Sequence, residues 1–322
     1  MNLQDMVLKK QLKSDVNRIS LAVILNSLLL FVIVFMSMIV RSVIAVVNAQ
    51  TADTEKMFDE IGDNMVKSGV EYLVFSVLGV FLVWLFTRKK ISGRQFFGEN
   101  QRMDICSFFK CFTVFMGIQL PFSLLASAVE AGLNQFGYTA EAGADIATGG
   151  SLTVSMFVYS SLVGPVAEEL IYRGFVMRSL QKYGKSFAIV ISAVLFGVMH
   201  QNLVQSIFGI AAGLVLGYVA MNYSIKWSVL FHILNNCLFS DVLCEAVSGF
   251  SDSVQTVIIY GIMAVFFVCA GIVLAKDRNL VRNKIKGWNE EKGCYKYAFS
   301  SLWLLIFIIA SSILSLQVIE KM

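Results

Sequence analysis

The chain contains only two histidines, and both stand at or within long apolar runs. His200 ends the run Ile-Val-Ile-Ser-Ala-Val-Leu-Phe-Gly-Val-Met, and His232 lies four residues before Asn236. A pair of glutamates, Glu168 and Glu169, stands in a third apolar stretch. Ionisable groups near the centre of a membrane helix cost about 2.5–3.5 kcal/mol each on insertion scales. We therefore expect these residues to form a functional site.

Helical geometry assigns different surroundings to the two glutamates. Arg173 follows Glu169 by four residues, which is the favourable orientation for an ion pair on one helix face. Glu168 projects about 100° away from Glu169, because an α-helix has 3.6 residues per turn. This spacing predicts that Arg173 neutralises Glu169 and leaves Glu168 to face a cavity. The alternative is that both glutamates pair with Arg173 and only stabilise the helix bundle.

The spacing of the motifs predicts that their polar groups meet at one level. Glu168 lies sixteen residues before Gly184, and His200 lies sixteen residues after it. Two antiparallel helices that meet at Gly184 would therefore place Glu168 and His200 side by side. His232 and Asn236 are one turn apart and share a helix face. At 1.5 Å per residue they lie about 10–15 Å from the end of their helix.

These side-chain types suit hydrolysis of an amide bond. A buried carboxylate beside a histidine can take a proton from water. A second histidine and an asparagine amide can donate hydrogen bonds to the oxyanion that then develops. No serine or cysteine with a matching base is visible in the sequence, which disfavours an acyl-enzyme. Glu168, His200 and His232 are also ligand types that bind zinc, although the common His-Glu-x-x-His pattern is absent.

The composition is that of a membrane protein. Of the 322 residues, 57% are hydrophobic and 15% are charged, against about a quarter charged in soluble domains. We therefore predict an all-α fold, a polytopic transmembrane helix bundle of about 8–9 spans. Eight apolar runs cover residues 19–40, 70–86, 111–129, 187–200, 207–222, 227–243, 257–275 and 299–314. Another run starts at residue 152 and continues into the glutamate pair.

Loop charges predict the orientation of these spans. The N-terminal segment and the loops 88–102 and 276–296 are basic, whereas the loops 51–67 and 130–150 are acidic. By the positive-inside rule, the N-terminus and the basic loops are cytoplasmic. The first apolar run is too long for a cleavable signal, so we interpret it as the first span. The predicted location is the membrane, with the lipid bilayer as a partner and no nucleic acid.

Glycine, proline and cysteine carry packing signals. Gly209, Gly213 and Gly217 recur every four residues, a stripe that allows close helix packing and that we also expect to line the cavity. Pro165, just before the glutamates, predicts a bend in the helix. The six cysteines form no Cys-x-x-Cys pair and are interpreted as small buried hydrophobes.

Three motifs in order resemble one known family. Glu-Glu-x-x-x-Arg is followed by Phe196-x-x-x-His200 and then by His232-x-x-x-Asn236. Together they resemble the CPBP family, which joins type II CAAX-prenyl endopeptidases to bacteriocin-processing and immunity proteins of bacteria. The resemblance covers roughly residues 150–245. It predicts N-terminal spans and loops in residues 1–149, a catalytic core in 150–245 and C-terminal spans in 246–322.

The resemblance implies an intramembrane endopeptidase acting near the cytoplasmic face, in a bacterial plasma membrane. It implies that Glu168 and His200 activate water, and that His232 and Asn236 hold the oxyanion. Glu169, Arg173 and Phe196 would support them. Such proteins have been described both as metalloproteases and as metal-independent glutamate proteases. We favour the second, with no cofactor, and keep zinc held by Glu168, His200 and His232 as the alternative.

The implied substrate is a membrane-associated peptide or protein, of which a prenylated CAAX protein is one candidate. Two other classes of function stay open. One is a non-catalytic bacteriocin-immunity or partner-binding membrane protein that keeps the motifs. The other is a transporter, which is disfavoured because the segment from Gly164 to Asn236 has no inverted copy elsewhere in the chain.

Overall fold

A computed structural model describes residues 3–48, 54–88, 96, 100–140, 153–288, 290–317 and 319–322. Parts of the predicted loops 51–67, 88–102, 130–150 and 276–296, and the predicted start of the fourth apolar run at residue 152, lie outside these ranges. The helices of the described residues are α1 Leu3–Val47, α2 Thr54–Lys67, α3 Val70–Thr87, α4 Ile105–Met116, α5 Gln119–Asn134, α6 Val154–Tyr183, α7 Lys185–Val198, α8 Leu203–Asn222, α9 Ile225–Val247, α10 Asp252–Lys286, α11 Cys294–Ala298 and α12 Leu302–Leu316.

The predicted helical membrane fold is confirmed. Within the described ranges, 7 helical segments are long and apolar enough to cross a membrane, with α4 and α5 counted as one. The two remaining predicted runs form the shorter apolar helices α7 and α12. One small departure from an all-helical chain is a pair of two-residue strands, β1 Tyr138–Thr139 and β2 Glu320–Lys321, which run antiparallel.

Helix α6 carries the glutamate pair and is interrupted on both sides of it. Residues Val158–Val163 and Leu170–Val176 are wound as π-helix. Pro165 lacks an N–H group and cannot complete the normal hydrogen-bond ladder, so the backbone winds more widely at this point. Gly164 donates its N–H to the carbonyl of Tyr159, and a Cβ at Gly164 would lie 2.9 Å from that oxygen. The helix is thus irregular around Pro165, and the bend that Pro165 predicts stays a prediction.

Helices α7 and α8 form a tight antiparallel hairpin. The Cβ that Gly213 lacks would lie 3.0 Å from the Cα of Ala193, and one at Gly209 would lie 2.9 Å from the Cα of Gly197. The glycine stripe therefore lets the two helix backbones approach closely, and its packing role is confirmed. At the other end of α7, Gly184 has φ +129°, a value that favours glycine, and reverses the chain after α6.

Helix α7 is too short to cross a bilayer by itself. It has 14 residues, which corresponds to about 21 Å, against about 30 Å for the hydrocarbon core. A helix of this length that starts at one membrane surface ends within the hydrocarbon core, so the turn that follows it, residues 199–202, is expected at membrane depth. Polar backbone and side chains are tolerated at such a depth only where protein or a water-filled cavity surrounds them. His200 belongs to this turn.

Candidate functional site

Glu169 and Arg173 form a completely buried ion pair on α6. The Oε1 atom of Glu169 lies 2.9 Å from Nη1 of Arg173, and both side chains are 0% exposed. The contact lacks hydrogen-bond geometry, and the guanidinium finds no other acceptor among the described residues. Its carbon atom lies 4.2 Å from the centre of the Phe196 ring, a cation–π distance. Arg173 therefore depends on the carboxylate of Glu169 and on the face of Phe196.

His232 of α9 stands between the two glutamates. Its Nδ1 atom lies 3.1 Å from Oε1 of Glu169, and its Nε2 atom lies 3.6 Å from Oε2 of Glu168. The first distance is a hydrogen bond, whereas the second is slightly too long for one. This link was not anticipated from the sequence, which paired Glu169 with Arg173 alone. Glu169 thus holds both Arg173 and the imidazole of His232.

Glu168 faces a cavity, unlike its neighbour. The cavity measures about 200 Å³ and is lined by Glu168 and His200 among others. The side chain of Glu168 is 21% exposed, against 0% for that of Glu169. Consecutive residues on one helix therefore have opposite surroundings, as the 100° rotation between them requires.

His200 reaches the same cavity from the turn after α7. Its Nδ1 atom lies 2.9 Å from the carbonyl oxygen of Phe196. Since a carbonyl can only accept, Nδ1 carries the hydrogen in this contact and the neutral ring keeps its lone pair on Nε2. The ring of Phe196 packs edge-to-face against both imidazoles, with centroids 5.1 Å from His200 and 5.8 Å from His232. Phe196 therefore spaces the two histidines and supports Arg173.

Asn236 is near these groups but is engaged elsewhere. Its Nδ2 atom donates to the carbonyl of Ser160 at 2.9 Å, and its Oδ1 atom accepts from Nδ2 of Asn235 at 3.0 Å. The Ser160 carbonyl belongs to the first π-helical turn of α6. Asn236 thus joins α9 to α6 and is not among the residues that line the cavity. Its predicted role at an oxyanion stays a prediction and requires the amide to turn away from Ser160.

The positions of two site residues along their helices follow from the helix bounds. His232 follows the start of α9 at Ile225 by seven residues, which places it about 10 Å along that helix. Ser76, which also lines the cavity, precedes the end of α3 at Thr87 by eleven residues, or about 16 Å. The depth of the site in the membrane stays a prediction.

Several cavity residues were missed by the sequence analysis. Asn26 and Ser27 of α1, Tyr159 of α6 and Gln201 beside His200 line the same cavity as Glu168. Asn26 could have been found, because it is an amide inside an apolar run, the criterion that singled out the histidines. The expectation that Gly209, Gly213 and Gly217 line the cavity was wrong: their missing Cβ atoms face α7.

A further acidic residue was also passed over. Asp241 of α9 accepts a short hydrogen bond from the hydroxyl of Ser161. Together with the contact between Asn236 and Ser160, this bond fastens α9 to the π-helical turn that precedes the glutamates. The sequence feature that could have identified Asp241 is the presence of an aspartate inside the apolar run 227–243.

The zinc alternative needs Glu168, His200 and His232 to converge on one ion. Over the described ranges of the chain, no three His, Cys, Asp or Glu side chains form a group that could hold a metal. The Nδ1 atoms of both histidines are engaged, by Phe196 and Glu169, so only the Nε2 atoms could serve as ligands. This arrangement does not by itself bring the three side chains into a metal-binding set.

Two comparisons with known proteins found similar sequences. Residues 150–238 match the family described as "Type II CAAX prenyl endopeptidase Rce1-like". The chain is also 30% identical over 103 residues to a protein of Bacillus subtilis (strain 168) named "Putative membrane peptidase YdiL". That similarity covers 31% of this chain and 42% of the relative, so the chain spans less than half the length of that protein. A search of the solved structures found no match.

The matched region contains all three motifs and the helices that carry them, from α6 to the first half of α9. The helices outside it supply the remaining spans, including the α1 and α3 walls of the cavity. Residues 150–238 are therefore similar to the Rce1-like type II CAAX prenyl endopeptidase family, and they lie within an integral membrane protein of several candidate spans.

Proposed function

We propose that the protein is an intramembrane endopeptidase in which Glu168 activates the water that attacks the peptide bond. One observation carries the proposal: Glu168 opens into a cavity that it shares with His200, while Glu169 is neutralised by Arg173 at 2.9 Å. A carboxylate that is not bound by an arginine keeps its capacity to accept a proton. The non-catalytic alternative does not require one glutamate to face a cavity.

The contacts of His200 support a role beside Glu168. Because Nδ1–H donates to Phe196, the Nε2 atom is an acceptor. A water in the cavity could then donate one hydrogen to Glu168 and the other to His200, with its oxygen lone pair directed at the substrate carbonyl. Attack forms the C–O bond, and the proton passes to Glu168. Protonated Glu168 afterwards gives that proton to the leaving nitrogen as the C–N bond breaks.

His232 and Asn236 are proposed to stabilise the oxyanion. For this role the His232 ring must carry hydrogen on both nitrogens: Nδ1–H donates to Glu169 and fixes the orientation of the ring, and Nε2–H, on the side of Glu168, donates to the oxyanion. Asn236 lies one turn further along α9 and would have to exchange its bond to Ser160 for one to the substrate. Arg173 and Phe196 act indirectly in this scheme, by holding Glu169 and the two imidazoles in place.

The chemistry of the attack bears on the form of the substrate. A helix holds its carbonyl groups in internal hydrogen bonds, where water cannot readily attack them. The substrate is therefore proposed to be a membrane-associated peptide or protein whose scissile segment is extended. A prenylated CAAX protein is a candidate by the family description alone.

Comparison of membranes that contain the wild-type protein with membranes that contain Glu168→Gln tests the proposal. Purified protein is added to membranes from a strain that lacks it, and new peptide termini are identified by mass spectrometry. The proposal predicts termini that appear with the wild type and are absent with Glu168→Gln. Identical sets of termini would overturn it and favour the non-catalytic partner-binding alternative.

A further inference from the structure

A polar residue on α1 faces the cavity opposite the motif residues. Asn26 is 4% exposed and lines the cavity together with Glu168 and His200. Its Oδ1 atom has no hydrogen-bond donor among the described residues. This oxygen packs against Gly79 of α3, where a Cβ would overlap it, so the amide has to rotate for its oxygen to meet a group in the cavity. A buried amide oxygen without a donor is destabilising.

The other polar residues of this wall are less available. The hydroxyl of Ser27 donates to the carbonyl of Val23 at 3.2 Å, and that of Ser76 donates to the carbonyl of Tyr72 at 2.8 Å. Both are thus bound to their own helices. Among the described residues of the α1 and α3 wall, Asn26 is the one with a buried side-chain polar atom that lacks a hydrogen-bond partner. It lies outside residues 150–238, so it is not part of the family region.

We propose that Asn26 is a substrate-binding residue that hydrogen-bonds the main chain of an extended peptide held across the cavity from Glu168 and His200. An extended main chain presents N–H and C=O groups on both of its edges. A side-chain amide both donates and accepts, so it can pair with either group. This inference rests on the proposed peptidase function and adds to it a second wall, contributed by the N-terminal helix.

The test uses a synthetic peptide that spans the strongest cleavage site found by comparing the wild type with Glu168→Gln. In Asn26→Leu the side chain keeps a similar volume and loses its polar atoms. We expect KM to rise about tenfold while kcat stays within about threefold, because the lost bond is made equally in the ground state and the transition state. The thermal melting temperature in detergent should be unchanged or higher, since an unpartnered polar group has been removed.

Ser20→Ala is the matched control. Ser20 also lies on α1, is 0% exposed and has an Oγ atom without a partner, but it does not line the cavity. Its KM should equal that of the wild type. Asn26→Ser is the second variant, in case leucine does not fit against Gly79. The smaller side chain cannot reach as far, so KM should rise about threefold or more.

The possible outcomes separate this inference from the function on which it rests. If the wild type cleaves the peptide and both Asn26 variants keep the wild-type KM, the role of Asn26 is overturned and the peptidase proposal stands. If Ser20→Ala raises KM as much as Asn26→Leu does, the effect comes from packing of α1 and the role is overturned as well. If the wild type generates no Glu168-dependent cleavage, the proposed function fails first.

Discussion

Replacing Glu169 by glutamine would remove the ion-pair partner of the Arg173 guanidinium inside the bundle. Both side chains are 0% exposed, and Arg173 has no other acceptor among the described residues, only the ring of Phe196 at 4.2 Å. Breaking a buried ion pair from one side costs about 3–5 kcal/mol. Glutamine keeps the shape of the side chain and an oxygen that can accept from His232. The loss of stability therefore measures the effect of removing the negative charge. We expect Glu169→Gln to destabilise the protein by this amount.

The double variant Glu169→Gln/Arg173→Met measures the coupling energy between the two residues. Removing both charges leaves neither one buried alone, and such exchanges are often neutral or stabilising. The double variant should therefore be at least about 2 kcal/mol more stable than the sum of the two single variants. Arg173→Met alone should also be destabilising, because it removes the positive charge beside Glu169, but by less, because His232 still donates to that carboxylate.

The assay is unfolding of the purified protein in mixed micelles, titrated with SDS and followed by tryptophan fluorescence. Variants at both positions are compared at one pH and one detergent composition. A cost below about 1 kcal/mol for Glu169→Gln would refute the view that the pair is isolated in the bundle. Strict additivity in the double variant would refute the direct coupling of the two residues.

Three further predictions concern metal, packing and orientation. If the reaction is metal-independent, chelation should leave activity unchanged and elemental analysis should find no stoichiometric zinc. Activity that is lost on chelation and recovered on adding zinc would favour the zinc site of Glu168, His200 and His232. Gly197→Ala should lower stability by about 1–3 kcal/mol, because its Cβ would overlap the carbonyl of Ser206, whereas Gly271→Ala, with nothing within 4 Å, should be neutral or gain up to about 1 kcal/mol. A cysteine at Lys286, in a chain without its native cysteines, should react with impermeant thiol reagents only from the cytoplasmic side; labelling from outside would reverse the orientation.

The sequence predicted the fold and the central ion pair for clear physical reasons. Long apolar runs can satisfy their backbone in a membrane only as helices, so the helical bundle followed from composition. The pairing of Glu169 with Arg173 followed from the four-residue spacing on one helix. The hairpin at Gly184 was predicted from the equal sixteen-residue spacing of Glu168 and His200 on either side of it, and both residues line one cavity.

The sequence could not predict contacts that depend on packing between distant helices. The bond from His232 to Glu169 joins α9 to α6 across 63 residues of chain, and no local spacing encodes it. The engagement of Asn236 by Ser160 depends on the π-helical winding of α6, which periodicity of 3.6 does not reveal. Asn26 carried a readable signal, an amide in an apolar run, but its position opposite Glu168 required the packing of α1 against α6.

The measurement that tests the central claim most directly is the turnover of purified Glu168→Gln on the peptide substrate. A general base contributes about 10²–10⁴-fold to a rate, so kcat should fall by at least about a hundredfold. The variant should melt at the wild-type temperature, because Glu168 faces the cavity and leaves the ion pair of Glu169 and Arg173 intact. A correctly folded Glu168→Gln that keeps kcat within tenfold of the wild type would contradict the assignment of Glu168 as the residue that activates water.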